Sequence, residues 1–111
     1  MAIYEFMDIS TGHLTTDDVA LLDEGELPFD VMSYDYGWVV STAKLIAGPL
    51  REDSARDLSR SGLSPEFIAA AKVAGERNCW LLRFDMDADL DPDLPVGGYG
   101  MDPDELAPPS P

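Results

Sequence analysis

With 111 residues, of which 45% are hydrophobic, the chain suffices for one domain with one modest core. Its 22 acids against 7 bases give a formal net charge of -15, which repels nucleic acid and steers basic partners inward, so direct DNA or RNA binding is not expected. MAIYEFMDIS carries Glu5 and Asp8 where a signal peptide carries bases, no run approaches the ~18 apolar residues of a membrane span, and the single Cys79 has no disulfide partner, so a cytoplasmic location without membrane contact is expected.

In chain order, IYEFMDI (3–9) alternates in the manner of a strand and is rich in β-branched and aromatic residues. STGHLTT turns the chain. Thr15 or Thr16 caps a short helix, with Asp17 and Asp18 at its positive end and Gly25 beyond its last turn. VMSY and WVVSTA, separated by Asp35-Tyr36-Gly37, predict a hairpin, with one continuous bulged strand as the competing reading. Gly48-Pro49 breaks the chain, and REDSARDLSR allows one or two helical turns.

LSPEFIAAAKVAGERN is the clearest element. Ser64 caps it, Pro65 opens it, Phe67, Ile68, Ala71 and Ala74 form its apolar stripe, and Arg77 and Asn78 close it. CWLLRFD then reads as an inner strand with Trp80, Leu82 and Phe84 on one face, so Trp80 is expected in the core. The resulting order, βαββαβ, predicts an α+β domain over 1–101: a ferredoxin-like antiparallel sheet with two main helices. Residues 102–111, DPDELAPPSP, predict a disordered acidic, proline-rich tail.

Beyond Arg83 there are eight acids and no Lys or Arg. In FDMDADLDPDLP, Asp85, Asp87, Asp89, Asp91 and Asp93 occupy alternate positions, and on an extended chain they would form a row with steps of roughly 6.6 Å, near the charge spacing of a nucleic-acid strand. An exposed acidic exit loop is the plainer reading. Asp85, Asp87 and Asp89 also fit the start of an EF-hand loop, but Leu90 and Val96 stand where that loop needs Gly and Glu, so no metal is expected. Tyr99 and Met101 are expected to be exposed and to add apolar contact beside the acids.

His13, the only histidine, lies among Ser10, Thr11 and Thr15. A structural turn is the expected role, and an acid–base or nucleophilic site of His13 with Ser10 or Thr11 is the alternative. Cys79 reads as a small buried hydrophobe and GGYG (97–100) as a flexible connector, and no cofactor is expected.

The blocks DISTGHLT, YDYGWVV and NCWLLRFD resemble those of a family of short, uncharacterised bacterial domains of plasmids and genomic islands, over roughly residues 8–95. That resemblance implies an accessory factor that binds a host protein, including inhibitors of restriction or CRISPR nucleases that imitate nucleic acid. Together with the charge, it gives a non-enzymatic interaction protein whose aspartates dock on a basic protein surface or nucleic-acid channel. The alternative is a small hydrolase or transferase using His13. A homodimer is a third expectation, because ferredoxin-like sheets commonly pair.

Overall fold

The structure, a computed structural model, describes residues 3–25, 27, 29–46 and 51–101. The expected tail at 102–111 lies outside them. Four strands, β1 (Phe6–Ser10), β2 (Val31–Tyr34), β3 (Gly37–Ser41) and β4 (Leu81–Asp85), form one sheet, accompanied by α1 (Thr16–Glu24), α2 (Arg51–Arg60) and α3 (Pro65–Glu76). Short 3₁₀ turns follow β1 (Thr11–His13) and β3 (Ala43–Leu45). The class is α+β, as the order of elements predicts.

The sheet order is β1-β4-β3-β2, with β1 and β4 parallel and the other pairs antiparallel. This corrects the all-antiparallel ferredoxin-like arrangement. The reason lies between β3 and β4, where REDSARDLSR forms a full ten-residue helix and not a stray turn. One helix after a strand returns the chain to the end where that strand began; the pair α2 and α3 brings it back to the end where β3 finished. Consequently β4 runs back alongside β3 and takes the place between it and β1.

The other elements follow local chemistry. Thr15 caps α1 in a reciprocal box, its hydroxyl accepting from the Asp18 N–H while the Asp18 carboxylate accepts from the Thr15 N–H. Ser64 caps α3 through the Phe67 N–H, Pro65 opens it, and Asn78 beyond its end adopts φ 61°, the left-handed cap that asparagine tolerates. The turn Asp35–Tyr36 joins β2 to β3, which settles the hairpin against the continuous strand. Gly37 is required at its end because a Cβ there would lie 1.7 Å from the Phe84 carbonyl oxygen.

Met7, Ile9, Trp38, Val40, Leu82 and Phe84 face inward to the helices. Phe67 of α3 stacks on Phe84 at 5.5 Å between ring centres and on Phe29 at 5.9 Å. Ala70, Ala71 and Ala74 let α3 approach the core closely, and Ile68 of the expected stripe lies at its margin. Trp80 is a correction. It precedes β4 and is 44% exposed, its ring lying 4.6 Å from that of Tyr4 outside the core.

Asp18 joins the two helix starts. It is fully buried, and besides its own capping box it accepts from the Ser64 N–H (2.8 Å) and hydroxyl (2.5 Å). The carboxylate thus accepts from backbone N–H groups at the starts of both α1 and α3.

Candidate functional site

Two neighbouring surfaces gather the residues that sequence reasoning singled out. On the first, the side of the sheet opposite α3, strand alternation and register place Phe6 beside Leu81, then Asp8, Arg83, Val39 and Met32 in a row, then Ser10, Asp85, Gly37 and Tyr34. Phe6 and Met32 are 53% and 62% exposed, and Leu81 is also exposed. Arg83 meets Asp8 through two parallel bonds of 2.9 Å and lies 4.0 Å from Asp85, and its guanidinium also covers the Phe6 ring. Asp85 in turn accepts from the Tyr34 hydroxyl at 2.5 Å. The only base of the row is therefore matched by carboxylates, and the face presents apolar side chains with an acidic excess.

These bonds shift the titrating groups. Burial and then the hydrogen bond to Asp85 push the Tyr34 phenol up to about 12. The same bond, with the Asp87 N–H, holds Asp85 below the usual carboxylate range, and the salt bridge to Asp8 raises Arg83 further.

The second surface is the segment after β4. The strand ends at Asp85 and the chain turns at Met86–Asp87, so the five aspartates do not form the evenly stepped row of an extended chain. Asp85 and Asp91 are half-buried and engaged: Asp91 accepts from the Asp93 N–H (2.9 Å) and from Arg77 (3.3 Å), and both contacts lower its pKa, the backbone one most. Asp87, Asp89 and Asp93 are exposed.

His13 organises this segment from beneath. Completely buried, its Nδ1 donates to the Pro95 carbonyl and its Nε2 accepts from the Asp91 N–H, both at 2.8 Å, an arrangement met by the neutral Nδ1–H tautomer. The Ser10 hydroxyl accepts from the Gly12 N–H and Thr11 is buried, and neither hydroxyl bonds to the ring. The GGYG stretch is not a loose connector. Gly97 and Gly98 donate to the Gly12 carbonyl and Tyr99 to that of Leu14, and a Cβ on Gly97 would lie 2.3 Å from the Leu14 backbone. Cys79 is buried, which raises its thiol pKa.

Where β1 and β4 finish, the two surfaces meet at a groove of about 480 Å³ between the β2–β3 hairpin and the Tyr99–Met101 turn. Tyr99 and Met101 are half-buried there, not free: Tyr99 lies edge-on to Trp38 at 6.1 Å, and Met101 packs over Gly12. Sequence reasoning missed the groove and the face that none of the described helices covers. The aromatic spacing of YDYGW was the available signal, but it pointed to a hairpin before it pointed to a wall.

Among the described residues, no group of three or more His, Cys, Asp and Glu could hold a metal ion, and no helix is long and apolar enough to cross a membrane. No curated protein and no solved structure matches the chain significantly. The model of a family of unknown function, the DUF5983 C-terminal domain, matches residues 6–97, from the first residue of β1 to the glycine docked on Leu14, and the chain belongs to that family.

Proposed function

We propose that this domain is an interaction module that docks a basic protein surface against the sheet face opposite α3 and the acidic segment beside it. One observation carries the reading: Phe6 and Leu81 lie side by side and exposed on this face, Met32 is exposed on its far edge beyond Val39, and Asp8 and Asp85 flank the Arg83 between them. Grouped apolar side chains with a polar rim mark protein contacts. The absence of any Lys or Arg after Arg83 gives the rim its sign. A homodimer through the same face would bring two charges of -15 together, which repulsion opposes.

The resemblance to domains of plasmids and genomic islands supports a narrower version, an inhibitor that occupies the nucleic-acid channel of a host defence nuclease. In that version the carboxylates act as a charged surface and not as a copy of a phosphate strand. The hydrolase or transferase reading of His13 with Ser10 or Thr11 has less support, because both ring nitrogens are already committed to backbone.

A random-peptide display selection on the full chain tests the proposal. Enriched peptides should combine Arg or Lys with apolar residues, and the enrichment should vanish on the Phe6→Ser/Leu81→Ser variant. Enrichment of acidic peptides, or none, would overturn it.

A further inference from the structure

We infer that the groove at the end of the sheet receives the guanidinium of an arginine side chain from the basic partner, an inference that rests on the reading above. At about 480 Å³ it falls in the range of small-ligand sites, roughly 300–1,000 Å³. Its walls carry four aromatic rings, arranged as two edge-on pairs: Tyr34 with Tyr36 at 6.3 Å, and Trp38 with Tyr99 at 6.1 Å, each at 70°. Perpendicular pairs leave at least one ring face of each turned away from its mate. A cation over such a face is attracted by the ring quadrupole.

The polar groups of the groove fit the same guest. None of the lining residues is basic, and Asp35, an exposed carboxylate, stands at the rim. Asp85, tied to Tyr34, adds a second negative charge behind the wall. A guanidinium is planar, weakly hydrated and donates five N–H groups, so it can stack on a ring while bonding to Asp35 and to phenol oxygens. A lysine ammonium is more strongly hydrated and loses more on entering. The overall charge of -15 concentrates cations at the opening. Trp38 is held as the floor, since its Nε1 donates to Asp23 at 2.8 Å.

The test is a titration of the isotope-labelled full chain with a capped Leu-Arg-Gly-Arg-Leu peptide, read by amide and indole NMR shifts. Binding should be weak, with a Kd on the order of 1 mM, and should move the signals of Gly12, Tyr36, Gly100 and the Trp38 indole N–H. The same peptide with citrulline, the neutral isostere of arginine, should bind about tenfold more weakly. Tyr36→Ala/Asp35→Asn, which alters two exposed side chains, should weaken the arginine peptide about tenfold while leaving the spectrum folded. Equal affinity for arginine and citrulline overturns the inference. Shifts confined to 86–93 and the Phe6–Leu81 face overturn it too, yet leave the proposed function standing; absence of any shift with the arginine peptide contradicts both.

Discussion

Phe84 is fully buried against the Phe67 ring, whereas the Trp80 ring leans on Tyr4 at the surface. Phe84→Ala should therefore cost about 3–5 kcal/mol and Trp80→Ala about 1 kcal/mol, measured by urea unfolding. Equal losses would put Trp80 back in the core. Tyr34 yields a pH prediction. Its phenol is pushed up from 10.0 to about 12, so the neutral form is favoured by folding. Its contribution to stability is present below pH 10 and is lost as pH rises through about 12. Ultraviolet titration should show one late-titrating tyrosine, and Asp85→Asn should move it down; four tyrosines titrating together would refute the Tyr34–Asp85 bond.

At the scale of elements, Asp18 and His13 are the two polar pins. Asp18→Ala strips a cap from α1 and leaves the half-buried Ser64 donors without their partner, so a loss of about 2–4 kcal/mol is expected in urea unfolding. His13→Ala removes the link from the first 3₁₀ turn to the acidic segment. It should cost about 2–3 kcal/mol and speed amide exchange at Asp91 and Tyr99 ahead of the strands. Uniform exchange across the domain would show that His13 does not pin this segment. Both elements that Asp18 joins were legible in the sequence, because Thr15, Ser64 and Pro65 act locally. The bond from Asp18 to Ser64 was not, since it spans 46 positions and no local pattern encodes it. His13 was legible as a turn residue but not as the anchor of Asp91 and Pro95, 78 and 82 positions away.

Across the whole molecule, strand existence followed from alternation and composition, while strand order hinged on α2. Its polar sequence buries only Ala55 and Leu58, too thin a stripe to announce three turns, and with that helix undervalued the crossover parity came out wrong. The charge was legible from the first count, but its placement beside a sheet face with exposed apolar side chains was not. The central claim is that this face and its acidic rim hold a basic partner. Of the five aspartates, Asp85 and Asp91 make structural bonds, so Asp87, Asp89 and Asp93 are the three to neutralise with the fold left intact. The most direct measurement is the affinity of the most enriched basic peptide, by fluorescence anisotropy, as salt rises from low to physiological strength. Screening there shortens charge interactions to roughly 8 Å. Affinity should fall steeply for the parent chain, with a shallower slope and weaker low-salt binding for Asp87→Asn/Asp89→Asn/Asp93→Asn; a salt-independent affinity, equal in parent and variant, would contradict the account.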